Sequence, residues 1–209
     1  MPKNPIILHG FKKSGHSHRA ELMLRLLDLP FEFREVDLAR GEQKAEAFRK
    51  LNIFGQVPVI DDGGVIVADS SAILVYLAKK FDPAGVWLPE GAEGGAQIQR
   101  WLSVAQGPLV NGPARARLFN VFNAPVDHAQ ANDIAEKLFA TLEKALGGVS
   151  FFVGPRATIA DVALYTYTAH APEGGVSLEP YPNIRAWLGR IEALPGFAPM
   201  PATKIGLAA

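Results

Sequence analysis

The chain contains no cysteine. That absence excludes a disulfide scaffold, cysteine-ligated zinc, iron–sulfur clusters and a cysteine nucleophile together. Any thiol chemistry must use a thiol that a substrate brings. Excess charge of either sign is also missing: 21 Lys and Arg residues balance 21 Asp and Glu. A neutral chain without a basic block lacks the footprint of a nucleic-acid or membrane-surface protein, so neither partner is expected. No apolar run approaches the ~18 residues of a membrane span. Met1 to Gly10 holds no signal-peptide pattern, so a cytoplasmic location is expected. Internal repeats and low-complexity tracts are absent. His9, His16 and His18 cluster without a carboxylate or fourth ligand at useful spacing, so they read as loop or edge histidines and no metal is expected.

What is present is ordinary globular composition, 48% hydrophobic and 20% charged, in 209 residues. That is enough for a real core and long for one domain. Ile6 to Leu8 is a short apolar run before Gly10, a candidate buried strand. Arg19 to Leu29 places Ala20, Met23, Leu24 and Leu27 on one helical face and stops at Pro30. Phe31, Phe33 and Val36 alternate with charged residues as a second strand. Glu42 to Leu51 reads as a polar helix. A hairpin follows from Val57 to Val67 around Asp61-Asp62-Gly63-Gly64, then a helix from Asp69 to Phe81. The order βαβαββα describes an α/β domain over residues 1–81. Residues 82–95 carry Pro83, Gly85, Pro89, Gly91, Gly94 and Gly95 and read as a linker. Strand signals then vanish. Residues 96–209 read as all-helical, with helices over Ala96 to Ala105, Asn111 to Phe122, Asp127 to Leu146, Thr158 to Ala169 and Asn183 to Leu194.

The stretch richest in chemistry is Gln56-Val57-Pro58-Val59-Ile60, with Asp69-Ser70-Ser71 after the glycine turn. Proline removes a ladder donor inside a strand, and a cis X-Pro bond in a tight turn is one use for such a residue. Pro58 is therefore read as cis. A bent backbone edge then stands beside a helix N-terminus carrying a carboxylate and a hydroxyl. That is a cradle suited to a small zwitterionic peptide. Each residue also has a plainer reading: Pro58 as a turn proline, and Asp69 and Ser70 as helix caps. Thr158-Ile-Ala-Asp161 is a variant capping box, which makes Thr158 and Asp161 structural.

With Ser14-Gly-His-Ser-His-Arg19, Asn52 to Ile60, Ala68 to Leu77, Thr158 to Asp161 and Tyr181 to Trp187 in this order and spacing, the chain resembles the cytosolic glutathione transferases, and most closely their serine-type bacterial and theta-like members. The resemblance covers nearly everything from Ile6 to Pro199. It implies a thioredoxin-like N-terminal domain, a helical C-terminal domain, a homodimer, glutathione as co-substrate with no further cofactor, and a small hydrophobic electrophile as second substrate.

In this family a hydroxyl after the first strand activates the thiol. Ser14 is the candidate and Ser17 the fallback; some members place the serine four residues before the arginine, where this chain has Gly15. Val57 would present its backbone to the cysteinyl unit, and Asp69 and Ser70 would hold the γ-glutamyl end. Gln43 and Gln56 stand where relatives often have His and Lys near the glycine carboxylate, with Lys44 as a possible cation. Arg115, Arg117, Phe119 and Phe122 share a helix that could wall the electrophile site. Rival readings are a glutathione-dependent disulfide or peroxide reductase, a glutathione-dependent isomerase and a non-enzymatic binding relative.

Overall fold

The computed structural model describes residue 2 and residues 4–205. Strand β1 (Ile6–Gly10) buries Ile6, Leu8 and Gly10 on one face, as strand alternation requires. Helix α1 (Gly15–Leu26) connects it to β2 (Phe31–Glu35), which pairs parallel with β1. Strands β3 (Val59–Asp62) and β4 (Val65–Ala68) form an antiparallel hairpin, with β3 also antiparallel to β1. The sheet order is β2-β1-β3-β4. Gly63 and Gly64 make the two-residue hairpin turn with φ of 62° and 96°, backbone that favours glycine.

The segment expected as one helix from Glu42 to Leu51 is instead a 3-10 turn at Glu42–Lys44 and a single turn α2 (Glu46–Arg49), split at Ala45. Phe48 is its only buried residue in these turns, so little packing holds a longer regular helix together. Helix α3 (Ser70–Phe81) buries Ile73, Leu74, Leu77 and Ala78 against the sheet side of the core.

Helix α4 (Ala92–Gln106) begins four residues before the expected Ala96, inside the segment read as linker. Gly94 and Gly95 weaken a helix by about 1 kcal/mol each, yet burial of Ile98, Trp101 and Leu102 along the same helix carries it. The next expected helix opens with a π-helical turn at Val110–Ala114 before α5 (Arg115–Phe122). Pro113 lies in that turn and has no N–H to donate, so the regular ladder cannot run through it. Helices α6 (His128–Ala145), α7 (Ile159–Ala169) and α8 (Pro182–Glu192) complete the domain. The thioredoxin-like plus all-helical architecture expected from the sequence is the one found.

Helix α7 is buried from Ile159 through Thr168 and packs on α1, α3 and α4. It joins the two domains into one hydrophobic core that runs from Ile6 and Leu8 to Trp187 and Ile191. None of the helices among the described residues is long and apolar enough to cross a membrane.

Candidate active site

A cavity of about 1180 Å³ lies between the sheet domain and helices α5 and α7. Its walls come from the β1–α1 loop, the chain before β3, the start of α3 and the helical domain. Ser14, Gln43, Gln56, Val57, Pro58, Asp69 and Ser70 all line it. The glutathione-site and thiol-activating candidates are thus brought to one place, except for Ser17. Ser17 is fully buried away from the cavity, and its hydroxyl accepts from the Phe11 N–H at 3.0 Å.

Ser14 caps α1: its φ and ψ are extended, and its hydroxyl oxygen accepts from the Ser17 N–H at 3.3 Å. The same hydroxyl also hydrogen-bonds toward Tyr167. Beside it lies Tyr167 of α7, whose hydroxyl is pushed toward the neutral form by burial; Arg19, Arg117, the His16 N–H and Ser14 oppose that push. A Cβ at Gly15 would sit 2.7 Å from the Tyr167 ring. Hence no side chain fits at position 15 while Tyr167 closes the wall.

The Val57–Pro58 peptide is cis. Val57 lies just before the ladders, whose first pairs on β3 join Val59 to Ala68 and to His9. Val57 itself lines the cavity. Asn52 supports this loop by donating from its side chain to the Gln56 carbonyl at 2.8 Å.

Asp69 has φ of 76° and ψ of 129°, a conformation that costs a non-glycine residue about 1–3 kcal/mol. Its carboxylate offsets that cost. One oxygen accepts from the Ser71 and Ala72 N–H groups at 2.8 and 3.0 Å. The other accepts from the Gln106 side-chain amide, at 2.9 Å, across the domain boundary. Ser70 is buried, and its hydroxyl accepts from Arg19 Nη1 at 2.9 Å, with His16 Nδ1 at 3.1 Å.

Arg19 is the least expected member. It is fully buried, its Nε and Nη2 find no hydrogen-bond partner, and it forms no salt bridge among the described residues. Burial lowers its pKa to about 10, partly opposed by Tyr167 and Asp69. The neighbouring His16 is held neutral, with a pKa lowered to about 3 by burial and by the Arg19 charge. A cation without an ion-pair partner among the described residues therefore stands directly behind Ser70.

At the other end of the cavity, Gln43 Oε1 is buried without a partner, and Lys44 Nζ donates to the Gly55 carbonyl at 3.0 Å. The helical domain contributes Val110, Ala114, Leu118 and Phe122, an i, i+4 stripe facing Phe11 across the cavity. Arg117, although in the lining, is spent internally. It pairs with Glu173, donates to the Lys13 carbonyl at 2.9 Å and to the Thr203 hydroxyl at 2.8 Å. Phe119 lies outside the lining and stacks on His128 at 4.6 Å. The other three histidines are engaged elsewhere: His18 with Thr166 and the Ala198 carbonyl, His9 edge-on to Phe48, and His170 with Glu173. Thr158 and Asp161 lie in the core and form the expected capping box.

Sequence reasoning missed Gln106, Tyr167 and the role of Arg19. Only the last had a signal: Arg19 precedes Met23 by four residues on the buried face of α1, where a charge needs a reason.

Residues 14–80 match the family model described as glutathione S-transferase, N-terminal domain, and residues 116–195 the one for its C-terminal domain. Mouse glutathione S-transferase theta-1 is 31% identical over 179 residues, 81% of this chain and 75% of the mouse protein. Human theta-2 is 33% identical over 182 residues, covering 80% and 72%. The crystal structure of a glutathione S-transferase from Pseudomonas fluorescens superposes with a TM-score of 0.89 at 32% identity, covering 94% of this chain and 99% of that one. A chain that carries both domains in this order and is this similar to theta-class enzymes over most of its length belongs to the glutathione S-transferase family, and is a glutathione transferase.

Proposed function

We propose that this enzyme joins the thiolate of glutathione to a small electrophile with an apolar body, using Ser14 to hold the sulfur. The observation that carries this reading is the uncompensated Arg19 behind Ser70. A buried cation without a carboxylate is costly. The α-carboxylate of a γ-glutamyl group at the α3 N-terminus meets that cation through Ser70 and gains the helix-end N–H field. Its ammonium falls beside the Asp69 carboxylate. The Val57 edge pairs with the cysteinyl backbone as a short strand addition. Gln43, Gln56 and Lys44 receive the glycine end.

So held, the thiol lies toward Ser14. It loses its proton to solvent, and the Ser14 O–H donates to the resulting thiolate. The sulfur forms a bond to the electrophilic carbon, and a leaving group departs with its electron pair or, in an addition, the adjacent atom takes up a proton. The stripe from Val110 to Phe122 supplies the apolar wall for the acceptor. The reading includes the family's homodimer, whose contact would cover Ile53 and Phe54, 77% and 72% exposed.

Calorimetric titration with glutathione tests the cradle. Ser70→Ala removes a hydroxyl from a charged ligand group and should weaken binding by about 1.5–3 kcal/mol. Asp69→Ala should weaken both binding and folding, because the same carboxylate caps α3. Unchanged affinity in both variants rules out this γ-glutamyl site. Turnover of wild-type enzyme against aryl halides, epoxides, hydroperoxides and mixed disulfides then separates transfer from reductase chemistry.

A further inference from the structure

Charge in the cavity is unevenly distributed, and the glutathione reading on which this inference rests does not use all of it. Arg19 and Ser70 serve one carboxylate of the tripeptide, and Lys44 with Gln43 the other. Arg117 is neutralised by Glu173. Among the described residues that line the cavity, two cations remain, Lys13 and Arg115. Both are exposed, both line the cavity, and neither makes a salt bridge or a side-chain hydrogen bond among the described residues. Glu35, the last residue of β2, accepts from the Lys12 N–H and leaves Lys13 unpaired. The one acidic side chain in the lining, Asp69, is occupied by the α3 N-terminus and Gln106.

Position makes this pair informative. Lys13 immediately precedes Ser14, and its carbonyl is held by Arg117. Arg115 opens α5 and borders the apolar stripe of Ala114, Leu118 and Phe122. Phe11 packs on Phe122 at one end of the stripe, rings tilted by 49° with centroids 6.4 Å apart. An apolar wall with two unpaired cations at its margin, and no acid lining that side among the described residues, suits a flat apolar body that carries a negative group.

We infer that the second substrate is an anionic electrophile: an apolar, aryl-sized body bearing a carboxylate or a similar monoanion, which Lys13 and Arg115 receive while the reacting carbon faces Ser14. Glutathione's own carboxylates lie at the other two ends, so the anion that these residues receive comes from the second substrate.

The test compares a chloronitrobenzoate with the corresponding chloronitrobenzamide. Thiolate displaces chloride from each, and the two differ in charge at the distal group. Intrinsic reactivity differs between them but cancels when the benzoate-to-benzamide ratio of kcat/KM is compared between wild type and variant. The ratio should fall about fivefold in Arg115→Gln and again in the double variant with Lys13→Gln, as expected for losing an exposed ion pair each time. Added salt should shrink the wild-type ratio but leave that of the double variant flat. Thermal midpoints show that the variants remain folded, since both side chains are exposed. A ratio unchanged by both substitutions, with both substrates turned over, overturns the inference and leaves the transferase reading standing. Failure of wild type to turn over either compound, with other electrophiles of the panel turned over, overturns this inference alone; failure against the whole panel while glutathione binds overturns the transferase reading, and this one with it.

Discussion

Ser14 owes its candidacy to what its own oxygen already does. Its oxygen accepts from the Ser17 N–H, and its proton, directed toward Tyr167, must turn to meet a neighbouring anion. A free thiol has a pKa near ~8.5, and lowering it by about two units corresponds to about 2.7 kcal/mol of preferential thiolate stabilisation. In Ser14→Ala, thiolate absorbance of the bound complex should appear at higher pH, and turnover should fall at pH 7 and partly recover in alkali. Glutathione affinity should persist, since Val57, Asp69 and Ser70 do not touch the sulfur. Ser17→Ala serves as the contrast. It leaves the Phe11 N–H without its partner, so its expected effect is on stability with the pH profile unmoved. A shifted profile in Ser17→Ala alone transfers the role to that residue. If both profiles stay put, the donor is elsewhere, and Tyr167→Phe becomes the next substitution to measure.

At the scale of the element, α7 is the piece on which both domains depend. Its N-terminus is closed by Thr158 and Asp161. The Thr158 N–H donates to Asp161 at 2.9 Å, and the Thr158 hydroxyl oxygen accepts from the Ala160 N–H at 3.3 Å. Asp161 reaches further than a cap. Its other oxygen accepts from the Phe152 N–H at 3.1 Å and the Trp187 indole N–H at 2.9 Å, which ties α7 to α8. Burial pushes its pKa up, and these hydrogen bonds to the anion oppose the push. Asp161→Ala leaves several buried donors without partners, at about 1–3 kcal/mol each. The expected loss exceeds about 3 kcal/mol in urea denaturation, with Asp161→Asn milder because an oxygen remains to accept. An Asp161→Ala variant as stable as wild type would contradict this account of α7.

For the whole molecule, the two domains are distinct in architecture but continuous in core. His18 stands at that junction: it rises from α1, contacts Thr166 of α7 at 2.9 Å and donates from Nε2 to the Ala198 carbonyl at 2.8 Å. Burial lowers its pKa to about 4. Unfolded, the same histidine takes a proton near pH 6.5. The unfolded chain therefore binds a proton that the native state refuses between these values. The contribution to stability is complete above about pH 6.5 and is lost as pH falls toward 4, with a limiting slope of about 1.4 kcal/mol per pH unit. His16, lowered to about 3, adds in the same direction. Urea midpoints measured from pH 7 to 4 should fall accordingly, and His18→Gln should flatten part of the dependence. A flat profile in wild type would show that neither histidine is kept neutral at the junction.

Much of the architecture could be read along the chain because its causes are local. Hydrophobic spacing along α3 and α6, the Gly63-Gly64 turn and the Thr158–Asp161 box act over a few residues, and the family motifs assemble the cradle in order. Where local signals competed with packing, they misled. Gly94 and Gly95 read as linker but are helical, and the Glu42–Leu51 segment read as helix but is broken, because burial of neighbouring side chains outweighs propensity in either direction. The contents of the cavity were legible only in part. Gln106 on Asp69, Tyr167 against Gly15 and the unpartnered charge of Arg19 join residues from both domains. Such contacts exist only after α7 docks on α1 and α3, since a side chain's partner and its distance from water are properties of the packed chain and carry no periodicity along it.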